Sequence, residues 1–293
     1  MEPRVVLVTR PTAYDALLAQ HATPGQVRWF LSTRGQSIDP LLAAHRAQGD
    51  AVATVLRAVP PTWRHTRVGR DFLDRFLFDP EDVVVAVGQD GLVPNVAKYL
   101  SDQPVIGINP DPTAFDGVLV RHLPAAAADV LRDVHAGRAR LEARTMLRAR
   151  TDDGQELRAL NEVFVGHRTH QSARYTLSIG GQQERHSSSG LIVSTGTGST
   201  GWAKSIHAAR GSSLTLPAPE DPSLAFFVRE AWGSVATGTA MQEGLLADAA
   251  LAVVSEMDHG VVFGDGIEQD AIALPWAREV TIDRDPRVLR LVA

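Results

Sequence analysis

The hydrophobic positions follow two rhythms along the chain. Val5 to Thr9 is an unbroken, β-branched apolar run, the pattern of a strand buried on both faces. Pro40 to Leu56 then carries Leu41, Leu42, Ala44, Val52, Val55 and Leu56 at helical spacing. Phe72, Leu73, Phe76 and Leu77 repeat that spacing, so a helix is predicted over Arg70 to Phe78. Val83 to Val87 and Pro104 to Ile108 are two more runs of the buried type, with a short helix predicted between them over Pro94 to Leu100. Buried strands separated by amphipathic segments argue for a parallel sheet with helices on its faces.

The rhythm changes after Pro124. One more helix is predicted over Pro124 to His135, with proline in its first turn. Beyond it the signal is mostly period two. Leu141 to Arg150 alternates and meets the turn signal Asp152-Asp153-Gly154, and Leu157 to Val165 follows. Arg174 to Ile179 and Gln182 to Ser187 flank Gly180-Gly181 as a hairpin. Leu191 to Ser194, Leu224 to Arg229, Leu251 to Glu256 and Val261 to Phe263 complete the strands, and Thr200 to Ala209 and Glu243 to Asp248 are read as helices. The expected fold is therefore α/β: a three-layer nucleotide-type domain over residues 1–122, to which 275–293 return, and a β-rich domain over 140–274.

Composition narrows the function classes. Hydrophobic residues make up 44% of the 293 and charged residues 22%, enough for a buried core and unlike a disordered chain. The net charge of −5 argues against a surface that coats nucleic acid. The absence of cysteine excludes disulfides and thiolate metal sites. No apolar run approaches the roughly 18 residues of a membrane helix, and Met-Glu-Pro-Arg followed by Val-Val-Leu-Val lacks a signal-peptide pattern. A cytoplasmic protein with small-molecule rather than membrane or nucleic-acid partners is expected.

Two loops carry candidate chemistry. Val83 to Val87 runs into Gly88-Gln89-Asp90-Gly91, at the carboxyl end of a strand where open parallel sheets place ligands. Glycines there let backbone N–H groups approach phosphate oxygens. A carboxylate in such a loop repels phosphate, so Asp90 is either a turn residue or a group acting on a hydroxyl or on a metal that bridges phosphates. The second loop, Ser194-Thr195-Gly196-Thr197-Gly198-Ser199-Thr200-Gly201-Trp202, holds three glycines and five hydroxyls between an apolar strand and a helix. That composition suits a ribose or a phosphate, and it lacks the lysine placement of a Walker loop.

Taken together, these segments resemble the NAD kinase family. Gly88 to Gly91 is similar to its Gly-Gly-Asp-Gly loop, and Gly107-Ile108-Asn109 to the strand end that follows. Asn161-Glu162 is similar to its Asn-Glu pair, and Ser194 to Trp202 to its Ser-Thr-Pro-Thr-Gly-Ser-Thr-Ala-Tyr loop. Gly196, Trp202 and Asn109-Pro110-Asp111-Pro112 look more like the mitochondrial-type branch than the main bacterial one. The resemblance implies an α/β nucleotide domain joined to a β-rich domain, with NAD and ATP (or polyphosphate) as substrates and Mg²⁺ accompanying the donor. It also implies a homo-oligomer, dimer or tetramer. Asp90 would take the proton from the ribose 2′-hydroxyl of NAD. Gly88, Gln89, Gly91 and Asn109 would hold the phosphates. Asn161, Glu162, Thr197, Ser199, Thr200, Gly201, Trp202 and Ser205 would line the NAD pocket, so that the Asp90 loop, Asn161 and Thr200 are expected to serve one ligand.

The chain departs from the family pattern at three places. Gln89 stands where the loop has its second glycine, Leu92 where a threonine follows the motif, and Ser189 where an aspartate precedes the glycine of the next strand. These departures motivate a different reading, a non-catalytic NAD(P)-binding protein. A lipid or sugar kinase is a third, because a Gly-Asp-Gly loop is shared with those folds. His167 and His170 have metal-like spacing but no evident acidic third ligand, so no metal site is expected from them. Asp265 within Gly264-Asp265-Gly266 is either a turn residue or a second ligand-facing carboxylate, and Trp202 either stacks on a base or belongs to the core.

Overall fold

A computed structural model describes residues 2–293, and the chain divides into two compact units, 1–142 with 290–293, and 143–289.

In the first unit, β1 (Arg4–Thr9) leads to Thr12, which caps α1 (Ala13–His21) through a reciprocal capping box with Asp15. Next come α2 (Pro24–Ser32), with proline at its first turn, and the long α3 (Asp39–Ala58). The sequence pattern missed α1 and α2 because their apolar faces cover one another, with Tyr14, Val27, Leu31 and Ile38 in a cluster of their own. The chain continues through β2 (Arg64–Gly69), β3 (Val83–Val87), α4 (Leu92–Ala97), β4 (Pro104–Ile108) and α5 (Ala127–His135). The strands pair in parallel in the order β2-β1-β3-β4, and Arg290 and Leu291 add a parallel segment beside Pro104 and Val105 on β4.

Every residue of β3 is buried, as its unbroken valine-rich sequence requires. One face of the sheet, with Val5, Leu7, Val85 and Ile106, packs against Val52 and Val55 of α3 and Leu131 of α5. The alternating residues Val6, Val8, Val84 and Ala86 are equally buried, and α4 packs against β1 and β3. The helix predicted over Arg70 to Phe78 is instead a 3₁₀ stretch, Arg70–Arg75. Leu73 alone of its large apolar residues is buried there while Phe72 stays exposed, so no apolar stripe supports an α-helix.

The second unit begins within β5 (Leu141–Thr151), which turns into β6 (Glu156–Ala159) and then β7 (Glu162–His167). The hairpin β8 (Ala173–Ile179) and β9 (Gln182–Ser188) turns at Gly180-Gly181, both in the left-handed region. After β10 (Leu191–Ser194) comes α6 (Trp202–Arg210), closed by Gly211 with φ of 61°. The remaining strands are β11 (Leu224–Val228), β12 (Glu243–Leu246), β13 (Leu251–Ser255), β14 (Gly260–Gly264), β15 (Ile267–Leu274) and β16 (Glu279–Val292). One sheet runs β12-β11-β10-β7-β14-β15, and the other carries β16-β13-β8-β9 with β5 and β6. Their inner faces enclose a single core that includes Val163, Val193, Phe226, Tyr175, Leu177 and Val253. Alternation delivers it: β13 and β14 both bury every second residue.

Two expectations are corrected here. Glu243 to Asp248 is not helical, because Glu243–Leu246 pairs antiparallel with Leu224–Phe227 of β11, a tertiary pairing that overrides local propensity. Residues 275–293 do not return to the first unit as a block. Glu279–Ile282 pair with β13, and it is residues 290–293 that belong to the first unit. No helix is long and apolar enough to cross a membrane among the described residues.

Candidate active site

Asp90 lies in the turn between β3 and α4. One carboxylate oxygen, Oδ1, accepts the backbone N–H groups of Leu119 (2.6 Å) and Val120 (3.0 Å). The segment that supplies those groups crosses so close to β4 that a methyl on Gly107 would overlap the Leu119 carbonyl, so Gly107 is a glycine for packing reasons. Asp90 is therefore held at one oxygen, and Oδ2 is not used by these bonds. Gly88 donates its N–H to the Ile108 carbonyl (3.1 Å), while Leu92 and Val93 donate to the carbonyls of Gln89 and Asp90. The N–H groups of Gln89, Asp90 and Gly91 find no backbone acceptor among the described residues, which leaves consecutive donors in one turn. Leu92, at the threonine position of the resembling loop, is fully buried as the first residue of α4.

Asn109 directly follows β4 and ties down the loop beyond it. Its Nδ2 donates to the Phe115 carbonyl (3.1 Å) and its Oδ1 accepts the Asp111 N–H (3.0 Å). Both ends of the amide thus hold the 110–115 loop, and the side chain acts on the shape of the site.

The hydroxyls of the Ser194–Trp202 loop point mostly inward. Thr195 Oγ1 donates to the Leu160 carbonyl (2.5 Å) and accepts the N–H groups of Thr197 (3.1 Å) and Gly198 (3.3 Å). Ser199 Oγ donates to the Thr195 carbonyl and Thr200 Oγ1 to the Thr197 carbonyl. Thr197 is buried and receives a long contact from Arg144 Nη1 (3.4 Å). Composition suggested five groups converging on a ligand; in the structure most of them build the loop itself. Thr200 and Gly201 stay exposed at the end of the loop, and from α6 Trp202 and Ser205 line one cavity of about 490 Å³ with Arg210, Arg229 and Gln242.

Asn161 and Glu162 sit where β7 begins, opposite the end of β10. The backbone of Asn161 is fully engaged: its N–H donates to Asp265 Oδ1 (2.7 Å) and its carbonyl accepts from Thr195 (2.9 Å). Asp265 Oδ2 takes the Leu160 N–H as well (3.0 Å), from a left-handed turn with φ of 54°. Asp265 is thus a turn residue whose carboxylate fixes the backbone that presents Asn161. The Glu162 carboxyl is pushed up to about 8, first by burial and second by the charge of Asp265. At neutral pH it carries a proton and can donate a hydrogen bond, a property that its identity in the sequence did not reveal.

A pH signature follows. Between the ordinary value of 4.5 and about 8 the folded chain holds a proton that the unfolded chain has lost, so this group's effect on stability becomes less favourable as pH rises through that window. Above it both states are ionised and the effect is flat. Glu162→Gln keeps the shape and removes the titration. Its unfolding free energy relative to the parent is expected to improve by about 2 to 4 kcal/mol from pH 5 to pH 9. Parallel stability curves for the two proteins, measured by urea titration, would show that Glu162 is already charged at low pH.

Trp202 anchors an aromatic group. Its ring stacks with Phe164 (5.9 Å, 14°), Phe164 meets Phe263 (4.9 Å), and the Arg229 guanidinium lies 5.1 Å from the indole centroid. Phe164 can lie flat on its sheet because Gly166 and Gly190 carry no Cβ; a methyl at either would overlap the ring. A second cavity, also about 490 Å³, opens beside this group, with Phe164, His167, Trp202, Phe263 and Glu268 in its lining. The His167 ring nitrogen Nδ1 is bonded to the N–H and hydroxyl of Thr169 (3.1 and 3.0 Å), so this histidine shapes a turn.

No family model matches the chain. Among curated proteins, the NAD kinase of Natronomonas pharaonis is 30% identical over 212 aligned positions, spanning 70% of this chain and 74% of that protein. NAD kinase 2, mitochondrial, of Rattus norvegicus is 27% identical over 310 positions, spanning 78% of this chain and 73% of its own. Among solved structures, yeast NADH kinase complexed with NADH superposes with a TM-score of 0.66 at 15% identity, over 100% of this chain and 84% of that one. An NAD kinase from Archaeoglobus fulgidus in complex with ATP gives 0.60 at 18%, over 99% and 93%. At such identities these two structures speak to the fold.

Proposed function

The chain belongs to the NAD kinase family, and from that premise we propose that it transfers the terminal phosphoryl group of ATP to the 2′-hydroxyl of the adenosine ribose of NAD, giving NADP. The hydroxyl oxygen forms a bond to the γ-phosphorus, the bond from that phosphorus to the β–γ bridging oxygen breaks, and the hydroxyl proton passes to Asp90. The observation that carries this reading is the state of Asp90. One oxygen is fixed by two backbone N–H groups at the carboxyl end of β3, and Oδ2 is left for the hydroxyl. Phosphoryl transfer depends chiefly on positioning and charge neutralisation, and a carboxylate held at one oxygen is positioned.

In this reading Asn161, protonated Glu162, Trp202 and Ser205 hold NAD, and Thr197, Ser199, Thr200 and Gly201 set the shape of the loop beside it. Gly88, Gln89 and Gly91 face the phosphates. Among the described residues no three histidine, aspartate or glutamate side chains are grouped to hold a metal unaided. Mg²⁺ in this proposal arrives with the donor, since it is commonly held by one or two carboxylates together with substrate phosphates. The chemistry it supplies is neutralisation of the donor phosphates. A dimer or tetramer is part of the same proposal, and light scattering of the purified protein tests it.

The direct test incubates the protein with NAD, ATP and Mg²⁺ and measures NADP with a dehydrogenase specific for it. Production of NADP is expected. Tight binding of NAD(P) without turnover would favour the non-catalytic reading that Gln89, Leu92 and Ser189 motivate.

A further inference from the structure

Arg10 directly follows β1, at the place where the connections of the parallel sheet diverge. The chain leaves β1 for β2 on one side, while β3 leads to β4 on the other. In open α/β sheets, the crevice outside the carboxyl ends of strands at such a reversal is where ligands bind. A cavity of about 230 Å³ lies there, lined by Arg10 after β1, Gly88 and Gln89 after β3, Asp111 and Phe115 after β4, and Gln48 from α3.

Two polar side chains around Arg10 are engaged elsewhere through one end each. Gln48 Nε2 donates to the Val87 carbonyl (2.7 Å). Asp111 Oδ1 accepts the N–H and hydroxyl of Thr113 (3.1 and 2.6 Å). Asp71, whose charge acts on Arg10, is paired with Arg70 (3.3 Å). The Arg10 guanidinium feels the charges of Arg70 and Asp71, with no side-chain hydrogen bond contributing. Burial, and then the like charge of Arg70, hold its guanidinium below the ordinary arginine range. A half-buried cation beside a second cation is relieved by an anion. The same crevice is floored by the Gly88-Gln89 turn, from which the donors at residues 89 to 91 have no backbone acceptor. Its volume is below the roughly 300–1,000 Å³ of sites that enclose whole drug-sized ligands, so it suits a short phosphate chain better than a complete nucleotide.

We propose that Arg10 is the anchoring cation of a subsite for the donor's phosphate chain, which reads the di- or triphosphate and leaves the base unread. The proposal rests on the kinase reading above. Its chemistry is shared by ATP and by inorganic polyphosphate, and binding experiments separate the two. Titration calorimetry of the whole protein with inorganic tripolyphosphate and Mg²⁺, without NAD, is expected to show binding. Arg10→Ala is expected to weaken it about 10- to 100-fold, as loss of charge-assisted hydrogen bonds to a phosphate does. Arg10→Lys should recover part of the affinity, because it keeps the charge and loses the planar fork. ATP should weaken in parallel and NAD affinity should stay unchanged. Thermal unfolding of each variant shows that the fold is intact. Tripolyphosphate affinity that is indifferent to Arg10→Ala overturns the proposal, and so does a parent protein that binds ATP but not tripolyphosphate. Because the readout is binding, failure to form NADP would refute the kinase reading without deciding this one.

Discussion

Replacing Asp90 with asparagine is expected to lower turnover by roughly 10² to 10⁴ while changing NAD affinity little. The structure makes this substitution a clean one. An asparagine oxygen can still accept the N–H groups of Leu119 and Val120, so the loop keeps its anchor. The atom that changes is the other one, where an amide nitrogen replaces the oxygen available to a substrate hydroxyl. A turn residue would tolerate the exchange, since asparagine suits the same turns. Steady-state rates with NAD and ATP, alongside thermal unfolding, decide the matter: full activity in an intact Asp90→Asn protein removes Asp90 from the chemistry.

Gly196→Ala should cost about 3 kcal/mol of stability or more. A methyl there would overlap the carbonyl group of Ala218 and crowd the nitrogen of Pro219, and both are backbone atoms with no rotamer through which to yield. The loop that this segment resembles carries proline at the same place; in this chain the 218–219 backbone occupies that space. Gly49 is the internal control. It lies within α3 with nothing close to a built Cβ, so Gly49→Ala should stabilise by up to about 1 kcal/mol. Urea midpoints for the two variants that shift equally would refute the packing argument.

The two architectures were legible because each is written in a different period. Val83–Val87 reads as a strand buried on both faces, and β13 shows the alternation of a sheet with one face in a core. Elements that depend on distant partners were not legible. Glu243–Leu246 becomes a strand through its pairing with β11, and the 3₁₀ stretch at 70–75 fails as a helix because only Leu73 finds a core while Phe72 stays exposed. The candidate site divides in the same way. Asp90, Asn161 and Trp202 stand out from their motifs. That the hydroxyls of Thr195, Ser199 and Thr200 are spent on backbone carbonyls, and that Glu162 holds its proton, depends on three-dimensional surroundings that composition does not encode. Arg10 carried one available signal, a charged residue immediately after a strand of five buried positions.

The pairing of Arg290 and Leu291 with β4 has a consequence for synthesis. Pro104–Ile108 is made before the entire second unit, yet its partner on that side is made after it. Until then the Pro104–Val105 end of that edge lacks its partner, while the Gly107–Asn109 end is bonded to His122 within the first unit. The first unit therefore completes its sheet only after residues 143–289 have been made, and the last four residues of the chain close an edge laid down in its first half.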